Sequence, residues 1–549
     1  MRILMASDRS LLIETADLDE AMRLNLAWGD VPGIVERIPG ARTVLVRFDP
    51  ARTTAAALRE RLAQTTVDAD HVPHLRDVTI PVRYDGEDLD EAATLLEISA
   101  DELVNRHLAA DWRVAFSGFA PGFGYMVSGD PLFDVPRRSS PRTRVPAGSV
   151  ALAGAFTGVY PRESPGGWQL IGRTDAVMWD IDRDPPALLS PGTSVRFERA
   201  DTERLLLPTL RSGSSSEPAP TRGSLSEPAP TSGSLSEPKA RRNGLSEERS
   251  DESKPPAIEV LTPSLQLLVQ DAGRPGHAAL GVSESGAADR TAMRAANQAV
   301  GNARDAAVLE SVGAVTLRFH GDGVAVVTGA IGDISLTDAE GRTRGILHGA
   351  PFAIADGDEL SVAHPARGLR YVIGVRGGVD AASALGSRAG DTLAGLGPDP
   401  LVAGDVMRIG DLADRAVDPV PQPRDLPAPG DLVELEITLG PRDDWFTASA
   451  IETLTTQEWE VTPRSDRVGI RLHGETPLER ATAGELPSEG AVTGAIQVPA
   501  DGQPVLFLPD HPLTGGYPII GALTDRCLDL AAQLPPGTRI RFRIDEGQS

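Results

Sequence analysis

Short runs of alternating hydrophobic and polar positions dominate the sequence and predict a chain built mainly of β-strands. The strand period of two recurs in TVLVRF, VAVVTGA, YVIGVRG and TRIRFRI, and turns rich in glycine and proline separate these runs. The helical period appears in DLDEAMRLNLAW and DPARTTAAALRERLA, with Asp17 and Asp49 as expected N-caps, and in ELVNRHLA, which follows the capping-box pair Ser99 and Glu102. The pattern predicts an α+β domain at the N-terminus and β-barrels or sandwiches in the remainder.

This pattern stops between residues 212 and 256, where a ten-residue repeat rich in Ser, Pro, Glu and Gly replaces it. The repeat reads GSSSEPAP, GSLSEPAP, GSLSEPKA and NGLSEERS. Such a composition cannot bury a hydrophobic core, so we expect a disordered linker with a root-mean-square span on the order of 35–40 Å. The linker would tether two folded bodies without fixing their relative geometry.

The two bodies are expected to divide further. A small α+β domain is predicted at 1–78, a barrel at 79–211, and two more barrel units at 257–415 and 432–549. The Pro-rich stretch from 412 to 431 marks the boundary between the last two units.

Charge and hydropathy exclude several classes of partner. The formal net charge is −25, so the surface repels polyanions, and nucleic acid and anionic membranes are not expected partners. The first residues, MRILMASDRSLLIE, lack the features of a signal peptide, and no apolar run is long enough to span a bilayer. We therefore expect a cytoplasmic protein.

Lysine and cysteine usage limits the kinds of catalytic and binding site that the folded bodies can contain. The only lysines are Lys239 and Lys254, and both lie in the predicted linker. The folded bodies therefore contain no Walker A lysine, no Schiff-base lysine and no site for covalent biotin, and anions must be held by arginine, backbone N–H groups or a metal. The single cysteine, Cys527, lies in an amphipathic helical stretch and is expected to be a buried core thiol.

Candidate chemistry in the first body lies between residues 107 and 175. Glycines in GFAPGFGYM and SPGGWQ allow close approach of the backbone to a ligand, and arginines cluster beside them in this acidic protein. These residues are candidates for an anion or phosphate cradle, although the arginines could equally pair with surface carboxylates. His107, on a predicted helix, is either a catalytic group or a core histidine. The candidate binding residues are Arg137, Arg138, Arg142, Gln169 and Arg173.

Candidate chemistry in the second body falls into three polar clusters near glycine-rich turns. Polar residues at strand ends of this kind build the ligand-binding mouths of barrels, while Asp/Arg pairs could equally be internal salt bridges. The candidate residues of the three clusters are Gln270, Asp271, Arg274, Asp289 and Asn297; Asp466, Arg467 and Arg471; and Gln497, Gln503, Asp510, Gly515, Gly516 and Tyr517.

Several of these stretches resemble a known family. In the first body, GFAPGFGYM, RRSSPRTRVPAGSV and SPGGWQLIGRT resemble the signatures of the B subunit of 5-oxoprolinase, the family of allophanate hydrolase subunit 1 and KipI. In the second body, QDAGRPGH, GVSESGAADR, SDRVGIRLHG, GAIQVPADGQP and TGGYP resemble the C subunit, the family of allophanate hydrolase subunit 2 and KipA. Both bodies also resemble the carboxyltransferase region of urea carboxylase. The resemblance therefore indicates a fusion of B-like and C-like halves.

The resemblance implies a fold and a function. The fold would be mainly β, with an α+β N-terminal domain and cyclophilin-like β-barrels in both halves. The function would be the ATP-dependent opening of 5-oxo-L-proline to L-glutamate, together with a separate 5-oxoprolinase A-like subunit. The residue clusters themselves predict an active site between the two halves, because neither half alone holds a full set of acid, base and phosphate ligands. Asp271, Asp466, Asp510 and His107 would be the catalytic candidates, and Mg²⁺ could be held by Asp271, Asp289 or Asp510.

Two other functions remain open at this point. One is carboxyl transfer from a carboxybiotin carrier to urea or a related amide, with the biotin on another protein. The other is a non-enzymatic regulator that binds a histidine kinase, as KipI does. A homo-oligomer is compatible with all three functions.

Overall fold

The computed structural model describes residues 1–66, 76–138, 140, 142–200, 255–484 and 486–545, together with the backbone of 209–212. Most of the predicted linker, 212–256, lies outside the described residues, so its disorder stays a prediction. No helix in the described ranges is both long enough and apolar enough to cross a membrane.

The N-terminal domain is a four-stranded antiparallel sheet with two helices, and the sheet order is β1-β2-β4-β3. Asp17 caps the first helix by accepting a hydrogen bond from the Glu20 backbone N–H (2.8 Å), as predicted. Thr54, not Asp49, caps the second helix, while Asp49 accepts a hydrogen bond from the Ala51 N–H in the preceding turn. The elements are β1 (Arg2–Ser7), β2 (Ser10–Glu14), α1 (Leu18–Ala27), β3 (Ile34–Pro39), β4 (Thr43–Phe48) and α2 (Ala55–Ala63).

The barrel of the B-like half follows as an eight-stranded, half-closed sheet with the order β12-β9-β10-β7-β6-β13-β5-β14. Ser99 caps α4 as predicted, by accepting from the Glu102 N–H at 3.2 Å. The elements are β5 (Arg76–Val82), α3 (Leu89–Leu95), α4 (Ala100–Ala109), β6 (Trp112–Ser117), β7 (Gly124–Val127), β8 (Arg142–Val145), β9 (Ser149–Ala153), β10 (Phe156–Val159), β11 (Ser164–Gly166), β12 (Gln169–Arg173), β13 (Thr193–Arg199) and β14 (Thr209–Ser212).

The first unit of the C-like half packs a seven-stranded sheet against a five-stranded sheet, around a core made mostly of Val, Leu and Ile. The N-cap of its helix is Asp289. The elements are β15 (Ala257–Thr262), β16 (Gln266–Gln270), α5 (Arg290–Val300), β17 (Val308–Val312), β18 (Val315–His320), β19 (Gly323–Ile331), β20 (Ile334–Thr337), β21 (Thr343–Gly345), β22 (Phe352–Ile354), β23 (Glu359–Val362), β24 (Arg367–Val375), β25 (Val379–Asp380) and β26 (Val406–Ile409).

The second unit of the C-like half is a closed barrel in the order β27-β34-β31-β32-β29-β28-β35. Cys527 lies on α7 against this core and is half-buried. The elements are β27 (Leu432–Leu439), α6 (Ala448–Thr456), β28 (Trp459–Val461), β29 (Gly469–His473), β30 (Glu489–Gly490), β31 (Ala495–Gln497), β32 (Val505–Phe507), β33 (Thr514–Gly515), β34 (Ile519–Leu523), α7 (Asp525–Ala531) and β35 (Arg539–Ile544). The prediction of a mainly β chain with an α+β N-terminal domain and barrels in both halves is confirmed.

The two halves pack directly against each other. One hydrophobic cluster combines Leu12 and Leu45 of the N-terminal domain with Phe507 and Leu513 of the closed barrel. Arg442 of the C-like half donates to Glu14 of the B-like half and to its own Glu489. A buried interface therefore fixes the relative geometry of the halves, which the predicted tether would leave undetermined.

Limited proteolysis of the native chain is expected to cut within 212–256 and to leave two fragments that elute together. The repeat composition predicts an accessible segment, while the interface cluster would hold the cut halves together. Gel filtration of the digest, followed by denaturing electrophoresis of each fraction, measures this. Protection of 212–256 from protease, or separation of the two fragments, would contradict the expectation.

Candidate functional site

A cavity of about 450 Å³ opens between the B-like barrel and the closed barrel of the C-like half. Both halves supply its walls, in part through the stretches that carried the family resemblance. The B-like half contributes Phe119, Phe123, Tyr125, Arg137, Arg138, Tyr160, Pro165, Gly166, Gly167 and Trp168. The C-like half contributes Arg480, Gly484, Ser488, Gln497, Ala500, Pro512, Thr514, Gly515, Gly516 and Tyr517. We call this space the interface cavity.

Glycines allow the two halves to meet at the edge of the cavity. A Cβ atom on Gly118 would collide with the side chain of Thr514 in the other half. Gly122 has a φ of +78° and donates its N–H to the carbonyl oxygen of Leu280 at 3.1 Å. These two contacts explain why the GFAPGFG turn needs glycine, because a side chain at Gly118 would push the walls of the cavity apart.

Aromatic side chains form one wall of the interface cavity. The ring centroids of Phe123 and Trp168 are 5.3 Å apart, and those of Tyr125 and Trp168 are 5.5 Å apart. The hydroxyl of Tyr125 lies 3.3 Å from the Thr514 hydroxyl across the interface. Burial raises the pKa of Tyr160, so its phenol stays neutral. In a chain that is only 4% aromatic, these rings, which meet edge to face, give the cavity an apolar wall suited to a small ring.

Three arginines reach the interface cavity, and each is held differently. Arg137 donates to the Ser488 hydroxyl across the interface at 3.2 Å. Arg138 pairs with Asp88 at 2.6 Å and with Glu91 at 3.3 Å. Arg480 donates to the Val498 carbonyl oxygen at 2.6 Å, and its guanidinium carbon lies 5.8 Å from the centre of the Tyr517 ring.

The interface cavity carries positive charge in an acidic protein. None of its described lining residues is an aspartate or a glutamate. Glu485, which follows Gly484 in the chain, lies outside the described residues. Among the described residues Asp88 neutralises Arg138, but Arg480 forms no ion pair. The described walls are therefore suited to a small anion with a planar apolar part.

The other binding candidates of the B-like half are held by contacts within that half. Arg142 also pairs with Asp88, at 2.6 Å. Burial acts to raise the pKa of Asp88, but hydrogen bonds from Arg142 and from the Leu170 N–H lower it overall. Gln169 is buried and donates to the Pro136 carbonyl oxygen at 3.4 Å, and Arg173 pairs with Asp85 at the surface.

His107 lies in the core of the B-like barrel and does not line the cavity. Its Nδ1 is 2.8 Å from the Tyr84 hydroxyl, and its Nε2 is 3.0 Å from the Thr157 hydroxyl. Burial lowers the pKa of His107 to about 3, so the ring stays neutral at physiological pH. These contacts favour the core-histidine alternative.

Asp510 and Arg467 form a buried ion pair where the two units of the C-like half meet. Arg467 donates to both carboxylate oxygens of Asp510, at 3.0 and 3.1 Å, and also to Glu310. Asp510 further accepts from the Ser285 hydroxyl and from Thr392. Burial acts to raise the pKa of Asp510, but the charge and hydrogen bonds of Arg467 lower it overall. These contacts are those of a structural ion pair that holds the two units of the C-like half together.

The remaining candidates of the C-like half hold loops in place. Asp271 accepts from the Ser387 hydroxyl and the Arg388 N–H, both at 2.6 Å. Gln270 and Arg274 donate to carbonyl oxygens of the adjacent segment, at Gly390 and Ala389. Two further candidates close turns: Asp466 is exposed and accepts from Val468 N–H and Gly469 N–H, and Gln503 bonds both backbone groups of Gly474.

The structure therefore brings together Arg137, Arg138, Gln497, Gly515, Gly516 and Tyr517 of the predicted binding residues. Tyr160, Arg480 and Ser488 were not among the residues predicted from the sequence. Tyr160 could have been found from its position between two signature stretches. Arg480 and Ser488 lie in a loop without a periodic pattern, and only the fold brings them to the site.

Comparison with known proteins gives matches for both halves. Residues 1–189 match the family model described as carboxyltransferase domain, subdomain C and D, and residues 280–544 match subdomain A and B. The chain is 42% identical over 172 residues to the 5-oxoprolinase B subunit of Escherichia coli O157:H7, covering 31% of this chain and 79% of that protein. It is 31% identical over 293 residues to the 5-oxoprolinase C subunit of Escherichia coli K12, covering 52% of this chain and 90% of that protein.

Two further proteins are similar to this chain. Urea amidolyase of Lachancea kluyveri is 30% identical over 321 residues, but the match covers 53% of this chain and only 17% of that protein. A crystal structure of the protein TTHA0988 superposes with a TM-score of 0.76 and 32% identity, covering 97% of this chain and 99% of that one. A solved structure therefore contains counterparts of both halves in one chain.

Proposed function

Because the chain belongs to the carboxyltransferase-domain family, we propose that it opens 5-oxo-L-proline to L-glutamate as the B and C component of an ATP-dependent 5-oxoprolinase. One half is related to the B subunit of 5-oxoprolinase and the other to the C subunit. The interface cavity would be its substrate site. A separate A-like subunit would complete the enzyme.

The observation that carries this proposal is the composition of the interface cavity. 5-Oxoproline is a small planar lactam with one carboxylate. The cavity offers an aromatic wall for the ring, which comes from the B-like half, and arginines for the anion, which come from both halves. The B-like half alone lacks Arg480, and the C-like half alone lacks the aromatic wall, so the complete cavity needs both halves.

The chemistry fits such a cavity. A lactam is a poor electrophile, and transfer of the γ-phosphoryl group of ATP to the carbonyl oxygen, with release of ADP, activates the ring carbon. Water then adds to that carbon, and the C–N bond breaks as the nitrogen takes up a proton. A second water hydrolyses the resulting acyl phosphate to the carboxylate and free phosphate. Catalysis rests on holding phosphate and orienting the carbonyl, which arginines can do without lysine.

The described walls of the interface cavity do not fit a resident Mg²⁺ ion, because oxygen ligands from carboxylates are what that ion prefers. The three aspartates considered from the sequence do not converge either: Asp289 pairs with Arg424, while Asp271 and Asp510 bond different loops. More widely, the described residues contain no group of three or more His, Cys, Asp or Glu arranged to hold a metal. We therefore assign no step to a protein-bound Mg²⁺.

The purified chain alone is expected to form little glutamate from 5-oxoproline and ATP, and to gain activity when an A-like subunit is added. The reason is that its two halves resemble the B and C subunits, so in the proposed enzyme the A-like component would be a separate chain. Coupled assays of ADP and glutamate, with and without a co-expressed A-like subunit, measure this. Full coupled turnover by the isolated chain would contradict the need for a partner, and no glutamate in either case would contradict the proposed reaction.

Carboxyl transfer is the second candidate, and the two family models favour it because both describe carboxyltransferase domains. The match to urea amidolyase points the same way. The test is to supply a carboxylated biotin carrier protein with urea and to measure loss of the carboxyl group from biotin. Urea-dependent loss that exceeds any glutamate formation would favour this function.

A further inference from the structure

Backbone hydrogen bonds of the two neighbouring residues fix the position of Arg480. The carbonyl oxygen of Glu479 accepts from the Thr447 N–H at 3.2 Å, and the N–H of Ala481 donates to the Trp445 carbonyl oxygen at 2.9 Å. Arg480 itself forms a β-bridge with Phe446. The loop between β29 and β30 therefore presents the guanidinium to the interface cavity from a rigid base, as a specific binding residue requires.

The guanidinium has hydrogen-bonding capacity left over. Its Nη2 donates to the Val498 carbonyl oxygen, its Nε is enclosed by the protein, and its Nη1 forms no hydrogen bond with the described residues. Among the described residues it forms no ion pair, and Tyr517 lies against it. A half-buried guanidinium with an accessible terminal N–H group left unpaired favours a carboxylate, which accepts charged hydrogen bonds from an arginine. Arg138 differs, because Asp88 and Glu91 already occupy it.

We propose that Arg480 is the specificity-determining residue of the interface cavity and binds the carboxylate of the substrate, while the aromatic wall of the B-like half holds the lactam ring. This inference rests on the proposed function. Arg137, which bridges the two halves through Ser488, would contact the reacting end of the substrate. The C-like half thus selects the acid, and the B-like half selects the ring.

The test compares 5-oxoproline with 2-pyrrolidinone, the same lactam without its carboxylate, by calorimetric titration of the full chain. The wild-type chain is expected to bind 5-oxoproline at least tenfold more tightly than 2-pyrrolidinone. Arg480→Gln is expected to weaken 5-oxoproline binding about tenfold, the loss of one charged hydrogen bond, and to leave 2-pyrrolidinone binding unchanged. Arg480→Lys, which keeps the charge, should recover part of the loss.

Two control variants make the result specific. Arg464→Gln removes an exposed arginine of the same half, which makes no side-chain hydrogen bond or ion pair with the described residues, and should leave both ligands unaffected. Arg137→Gln should weaken both ligands alike. In the enzyme reconstituted with the A-like subunit, Arg480→Gln should raise KM for 5-oxoproline more than it lowers kcat.

The inference is overturned if Arg480→Gln, still folded by its melting profile, keeps the wild-type preference for 5-oxoproline. It is also overturned if the wild-type chain does not distinguish the two lactams. In the first case the proposed function stands, because the acid is bound by another group. Failure of the reconstituted enzyme to form glutamate instead overturns the proposed function itself.

Discussion

Asp510→Ala is expected to lower the free energy of unfolding by about 3–5 kcal/mol, the cost of breaking a buried ion pair from one side. The substitution leaves Arg467, which is fully buried, without the carboxylate that accepts two of its hydrogen bonds. It also removes the acceptor of the Ser285 and Thr392 hydroxyls, which come from the other unit of the C-like half. Denaturant titration followed by fluorescence and circular dichroism measures the loss.

Asp466→Ala is the matched control, because Asp466 lies one residue before Arg467 but is exposed. It accepts only backbone hydrogen bonds in its own turn, so its removal should cost no more than about 1 kcal/mol. The sequence suggested both aspartates as catalytic groups. If Asp510→Ala instead abolishes turnover while the unfolding free energy is unchanged, Asp510 is catalytic and its assignment as a structural ion-pair residue is wrong.

These two aspartates illustrate what a single sequence can and cannot predict. The stretch SDR left open whether its charged residues bind a ligand or form internal salt bridges, and the carboxylate partners of Arg467 are Asp510, 43 positions further along the chain, and Glu310. Charge pairing across a fold depends on which loops meet, and neither composition nor periodicity encodes that meeting. The same limit explains why Arg480 was not selected, since its loop reaches the cavity only through backbone bonds to Thr447 and Trp445.

Other parts of the site could be predicted, because their signal is local. Gly118, Gly515 and Gly516 stood out as turns beside polar residues, and each lies where a side chain would collide with a neighbour. The strands and helices could also be predicted from the sequence, because hydrophobic alternation and helix capping involve residues only a few positions apart. Asp49 shows the limit of such local prediction: the N-cap of α2 lies five residues later, at Thr54, because Asp49 closes the preceding turn instead.

Gly516→Ala is expected to reduce kcat/KM of the reconstituted enzyme on the order of a hundredfold, the effect of losing one charged contact in a water-excluded site. A Cβ on Gly516 would occupy the space that the Arg137 guanidinium fills. The far end of a flexible side chain can move aside, so the melting temperature should change little, but Arg137 would leave its position beside Ser488. Gly345→Ala is the control, because that exposed strand residue has no neighbour within 4 Å of the added carbon.

A double-mutant cycle separates this mechanism from a general disturbance of the cavity. If Gly516→Ala acts only by displacing Arg137, it should cost little in an Arg137→Ala background, and the double variant should be no slower than Arg137→Ala alone. Independent, additive losses would instead mean that the TGGYP turn contributes through its own backbone. The cycle also tests the shared site itself, since Gly516 belongs to the C-like half and Arg137 to the B-like half. Strong coupling between them requires that both halves build one active site, as the contact of Arg137 with Ser488 predicts.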